Sequence, residues 1–172
     1  MKTEKQILLK VDSYIKKSLA VELKQQGHYL TGSLERSIQG NLQNISNGAS
    51  LEGTVADYGY ILDAGTKPNK IPYQEGSGAK TSKYISALIE YFKLRKGLSE
   101  KEARGAAFAT AKVHKREGMP TKNSYTYAQN NERKQFINRT NEAIEQKVDN
   151  MIITKVDQLF NTVFEKQHSE II

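Results

Sequence analysis

Two carboxylates, Asp57 and Asp63, flank the tyrosines Tyr58 and Tyr60 within one short stretch of this chain. A carboxylate pair can work as general acid and base, or share a hard divalent cation. Neither chemistry has the third group it needs, because no further acid or histidine stands at a helpful spacing. Ser33, Ser37 and Ser46 lack the glycine-flanked turn that lifts a nucleophilic hydroxyl out of a strand. Gly76-Ser77-Gly78-Ala79-Lys80-Thr81 ends like a phosphate-binding loop, with Lys-Thr ahead of a helical pattern. Gln74 occupies the place of that motif's first glycine and no apolar strand leads in, so the stretch reads as a linker that caps a helix. His28 and His114 stand alone at helix ends and are expected to be exposed. The residues therefore predict no catalytic group, no cofactor and no metal site.

The bulk numbers agree with that reading. The chain has 172 residues, with no Cys and no Trp. Disulfides, thiolate metal sites and cysteine nucleophiles are excluded. An apolar share of 37% promises an adequate core but not a rich one. No apolar run approaches the ~20 residues of a membrane span. Met1-Lys2-Thr3-Glu4-Lys5 lacks the apolar stretch of a signal peptide, which points to the cytosol. Lysine and arginine number 26 against 19 acids, a formal charge of +7. The clusters Lys16-Lys17, Arg95-Lys96 and Lys112 to Arg116 are small and mixed with acids, without interleaved aromatics. They read as solvated helical surface, with binding along DNA phosphates as the second reading.

The elements behind these residues follow from periodicity. Ile7, Leu8, Val11, Ile15 and Leu19 predict an amphipathic helix over 4–26, stopped by Gly27. Thr31-Gly32-Ser33 reads as a turn into a strand carrying Ile38, Gly40 and Leu42. Asn47-Gly48 is a strong type I′ signal, so 36–57 reads as a β-hairpin. Gly40 and Gly53 predict a bend or a close backbone approach. Residues 58–68 read as aromatic and then turn-like, followed by an extended loop over 65–79. Tyr84, Ile85, Leu88, Ile89 and Phe92 mark a helix over 80–96, ended by Gly97. Ser99 and Glu102 open the next one as a capping box. Its Ala103, Ala106, Ala107, Phe108 and Ala111 invite close helix packing, so 80–117 reads as an αα-hairpin. Residues 118–133 read as an exposed polar loop.

The last predicted helix, 134–167, is roughly 50 Å long at ~1.5 Å per residue. A compact chain of this size is only about 40 Å across. Ile144, Val148, Ile152, Val156, Phe160 and Phe164 recur every fourth residue, with Met151, Leu159 and Val163 widening the stripe. Each step turns the stripe by about 40°, so it swings through ~200°. One intramolecular partner would not easily cover all of it, so a neighbouring subunit is expected, the alternative being a bent or broken helix that wraps its own core. The class is α+β: an N-terminal helix, a small antiparallel sheet built on the hairpin, the αα-hairpin insertion and a long C-terminal helix. A single domain over 1–172 is expected, with its core in 1–68 and 134–167.

Thr31-Gly32-Ser33-Leu34-Glu35-Arg36-Ser37-Ile38 after an N-terminal helix resembles a Thr-Gly-x-Leu-x-x-Ser-Ile pattern. That pattern belongs to the neck, or tail-completion, proteins of tailed bacteriophages, typified by gene product ten of a lambda-like phage. Tyr58 to Thr66 is similar to that family's aromatic stretch ending in Glu-x-Gly-Thr, with Asp63 in place of Glu. The resemblance covers residues 1–68. Further on, Phe136-Ile137-Asn138-Arg139-Thr140 echoes a Pro-Phe-Leu-Arg-Pro-type segment without either proline. The resemblance implies a non-enzymatic virion protein, made in the host cytoplasm, that forms a ring between head-closure connector and tail. It implies identical subunits, connector and tail proteins as partners, and passage of DNA through the ring lumen. The expected contact residues are Thr31, Gly32, Leu34, Tyr58, Tyr60, Asp63, Gly65, Thr66 and Pro68 on one side, and Val156, Phe160 and Phe164 on the other. The alternative is a basic DNA-associated packaging or regulatory protein.

Overall fold

The computed structural model describes residues 2–46, 48–76 and 82–169. The fold is α+β and mostly helical, with one two-stranded antiparallel sheet. Helix α1 spans Lys2–Gln25. It ends where Gly27 takes φ 69°. The His28 N–H then reaches the Leu23 carbonyl at 2.8 Å and the Gly27 N–H reaches Lys24 at 2.9 Å, the reciprocal pair of a Schellman cap.

The stretch 33–37 is not the start of a strand. It is a short helix, α2 (Ser33–Ser37), entered through Gly32 at φ 72°. Strand β1 (Gln39–Ile45) pairs with β2 (Gly48–Thr54) in the register Gln39↔Thr54 to Ile45↔Gly48. Gly48 is therefore the first paired residue of the return strand rather than a central turn residue, and Asn47 lies outside the described residues. Gly40 does mark a close approach, since a Cβ there would run into the Asp12 carboxylate of α1. Gly53 does not, because its surroundings are open. The hairpin thus lies across α1, and among the described residues neither outer edge is paired.

The aromatic stretch read as a turn is helix α3 (Asp57–Ala64). Its period was hidden because Gly59, the inward position, carries no side chain. A Cβ there would stand 2.8 Å from Val55 and 3.0 Å from Leu34. The loop that follows is not structureless: Thr66 bridges to Met119, and Pro68–Lys70 is a 3₁₀ turn. Residues 77–79 of it lie outside the described residues.

Helices α4 (Lys83–Lys96) and α5 (Glu100–Glu117) form the expected αα-hairpin. Ser82 caps α4, later than the predicted start, and Gly97 closes it at φ 63°. The Ser99–Glu102 capping box forms as read. Residues 118–133 are not a free polar loop. They hold a 3₁₀ helix at Lys122–Tyr127 and tie down the end of α1: Gln129 N–H donates to the Gln25 carbonyl, and the Arg133 guanidinium to that of Gln26. Helix α6 (Phe136–Ser169) then runs unbroken.

Two cores result. The first joins Leu19 and Leu23 of α1, Leu34, Ile38 and Phe136, with Val55, Leu62 and Ile137 packed around them. The second sits inside the αα-hairpin, where Ile85 and Ile89 meet Ala103, Ala107 and Ala111, each alanine 0% exposed. Alanine at every fourth position leaves no ridge, so the two helix backbones approach closely. Arg95 Nη1 donating to the Tyr29 carbonyl at 2.8 Å links the two halves.

Candidate subunit interface

The paired carboxylates do no shared chemistry. Asp57 is exposed in the first turn of α3. Asp63 accepts the Ile137 N–H on its Oδ1 at 2.8 Å, and its carbonyl accepts the Gln135 N–H at 2.8 Å. It therefore caps α6, where a carboxylate satisfies an orphan N–H and meets the positive end of the helix dipole. Among the described residues no three His, Asp or Glu side chains converge on a cation-sized space, and no helix is long and apolar enough to cross a membrane.

His28 and His114 are half-buried rather than exposed. His28 Nε2 faces the Arg133 carbonyl at 3.1 Å. Burial, and next the neighbouring Arg133 charge, lower its pKa to about 4 against the opposing pull of that hydrogen bond. His114 Nδ1 lies 2.6 Å from the Tyr84 hydroxyl. Burial lowers the His114 pKa, Glu117 opposing, and burial raises the Tyr84 phenol to about 12. Both histidines are neutral packing groups near pH 7, and each sits among its own structural partners rather than in a cleft. The basic cluster is likewise engaged internally: Lys112 pairs with Glu75, Arg116 with Glu117 at 2.7 Å, and Lys115 donates to the Ile71 carbonyl at 3.2 Å.

The residues around 31–68 divide into mounts and a face. Leu34 is buried in the first core and Gly32 beneath Tyr29 and Arg36. Gly65, at φ 74°, lets the chain pass within 2.7 Å (measured from a would-be Cβ) of the Met119 carbonyl and Lys134. Thr66 exchanges both backbone hydrogen bonds with Met119, at 2.7 and 2.8 Å. Pro68 is half-buried against Gly118, not turned outward as expected. These residues position the face instead of forming it. The exposed side chains are Thr31, Tyr58 and Tyr60, with Ile61, which sequence reasoning missed, standing between the two tyrosines on the outer half of α3, the tyrosines themselves about 160° apart around it. A hydroxyl chain sets it: Thr31 Oγ1 donates to Ser33 Oγ at 3.0 Å, and Ser33 Oγ lies 3.2 Å from the Tyr58 hydroxyl.

The second group lies at the far end of α6. Helix α1 packs antiparallel against α6, with Glu22 on Arg139 at 3.2 Å at one end and Ile7 beside Met151 at the other. Phe136, Thr140 and Ile144 are buried, as one face pointing at α1 requires. From Ile144 to Phe160 the every-fourth-residue stripe turns by about 160°, away from α1. Phe160 is accordingly 70% exposed and Phe164 59%, with Ile153, Val156 and Val163 also exposed. The two phenylalanine rings stack on each other, centroids 6.4 Å apart.

The structure does not bring the two groups together. Asp63 fastens α3 to the first turn of α6, and Phe160 lies roughly 35 Å further along at ~1.5 Å per residue. The molecule thus carries two unlike exposed patches held apart along one unbroken helix. Comparison with known proteins finds no matching family model, no matching curated protein and no matching solved structure.

Proposed function

We propose that this chain is a structural subunit of a tailed-phage virion, one that closes into a ring in the neck and joins the head connector to the tail. The observation that carries this reading is the distal half of α6. It projects past the chain's own core with Ile153, Val156, Phe160, Val163 and Phe164 uncovered. Soluble monomers rarely leave so contiguous an apolar face in water.

A cyclic ring needs a heterologous contact, in which one patch meets a different patch on the next copy. The Thr31–Tyr58–Tyr60–Ile61 face and the distal α6 face are two such patches at opposite ends of one helix. The unpaired edges of the hairpin offer backbone donors and acceptors for strand addition to a neighbour. The resemblance of residues 31–38 and 58–66 to tail-completion proteins supplies the setting. The reading assigns the protein no catalytic role.

Electron microscopy and mass photometry of the full chain test this, alone and with phage head-connector and tail proteins. Closed rings are expected. Each phenylalanine buried at such a contact contributes about 1.5–3 kcal/mol. Phe160→Glu with Phe164→Glu should therefore abolish ring formation at micromolar protein. Monomers throughout, with the wild-type chain and its partners present, would overturn the reading.

A further inference from the structure

A second surface on α6 is separate from the ring contact and does not depend on it. Ile7 and Lys10 of α1, with Lys147, Asn150, Met151, Thr154 and Lys155 of α6, line an open groove of about 280 Å³. Its floor is apolar, built on Ile7 and Met151, and no acid lines it. Lysines occupy its rim on both helices. Lys10 and Lys147 form no ion pair among the described residues, and Lys155 donates to Gln158 Oε1 at 2.5 Å. The acids of this part of α6, Glu142, Glu145 and Asp149, fall about 120–180° around the helix from Met151. Charge is therefore sorted by side: basic along the groove, acidic behind it. The distal apolar stripe also points elsewhere, Phe160 lying about 180° from Met151 on the helical wheel.

We infer that this groove docks an acidic amphipathic helix of a different protein, with one or two large apolar side chains in the trough and carboxylates against Lys10, Lys147 and Lys155. The volume lies just under the ~300–1,000 Å³ of small-molecule pockets, and the trough is open along its length. It suits side chains presented by another element, in the manner of a helix laid into a groove. A second copy meeting the groove through this same face is a poor occupant, and a copy docking through another face is the outcome the sedimentation arm detects. The chain carries a formal charge of +7, and the same face on a copy would set lysine against lysine.

The test uses the full-length chain and a hydrocarbon-stapled 14-residue helical probe with leucines four apart flanked by glutamates. A second probe replaces every glutamate with lysine. Fluorescence anisotropy at low salt should show the glutamate probe binding at least tenfold more tightly, with that advantage shrinking as salt screens the rim. Lys10→Glu with Lys147→Glu should reverse the preference. Met151→Glu should weaken the glutamate probe at least tenfold, with the circular dichroism of the variant unchanged. Absence of binding, equal binding of the two probes, or binding indifferent to the charge reversal would overturn the proposal. So would sedimentation showing that the charge reversal changes self-association in the absence of any probe. The sedimentation arm separates docking in this groove from self-assembly, and the phenylalanine variants report the ring contact itself.

Discussion

Asp63 shows how one residue can look like chemistry and work as structure. Its spacing from Asp57 invited an acid pair, yet its carboxylate terminates the first turn of α6 while its carbonyl holds the residue before it. Asp63→Ala should lower stability by about 1 kcal/mol, as loss of a cap does, and Asp63→Asn by less, because the amide oxygen still accepts. Urea midpoints at constant m-value would measure both. His28 supplies the pH dependence. Its pKa falls from 6.5 to about 4 on folding, so between those values the unfolded chain binds the extra proton. Stability contributed by neutral His28 is complete above pH 6.5 and is lost as the pH falls toward 4. Discounted for partial exposure, the loss is about 2 kcal/mol. His28→Asn should flatten that part of the stability profile in pH-resolved urea titrations.

The elements differ in what holds them. Helix α1 has a strong seam of Ile7, Val11, Leu19 and Leu23, and it anchors both the hairpin and α6. The αα-hairpin depends instead on absence of volume. Ala103, Ala107 and Ala111 are fully buried under Ile85 and Ile89. Ala107→Leu would force α4 and α5 apart and should cost about 1–3 kcal/mol, the usual range for an overpacked core. At ~2–4 °C per kcal/mol for a chain of this size, thermal unfolding followed by circular dichroism would resolve it. The capping box of α5 and the glycine stop of α4 were legible in advance because capping is decided within a few residues. Helix α3 was not, since a glycine in its buried position erased the apolar period that would have announced it.

At the scale of the whole molecule the feature that matters is the mismatch between α6 and everything beside it. Helix α1 covers one face of α6 as far as the groove where Ile7 stands beside Met151. Beyond that point, and around the far side of the helix, apolar side chains meet water. Because Phe160 and Phe164 touch each other and not the core, Phe160→Glu with Phe164→Glu should leave the isolated subunit's unfolding free energy within about 0.5 kcal/mol of wild type, as surface changes do, while removing its assembly. A variant that lost both would place these rings in the subunit's own core.

The amino-acid sequence alone determined the helices with a clean period, the positions where glycine and serine end or begin them, the hairpin, and the rotation of the α6 stripe. The caps, the hairpin turn and each step of the apolar period rest on neighbours within about five residues, where steric and hydrogen-bonding preferences are strong, and the longer patterns repeat these local steps. Only the tertiary structure decided which conspicuous residues face outward. Leu34, Gly65, Thr66 and Pro68 turn inward to hold Tyr58, Tyr60 and Ile61 in place, and the polar stretch 118–133 closes over the end of α1. The lysines of the α6 groove gather there because α1 lies antiparallel beside it, a juxtaposition of residues more than a hundred positions apart that no local pattern records. Burial and charge clustering are settled by what the chain folds against, and that information is spread over its whole length.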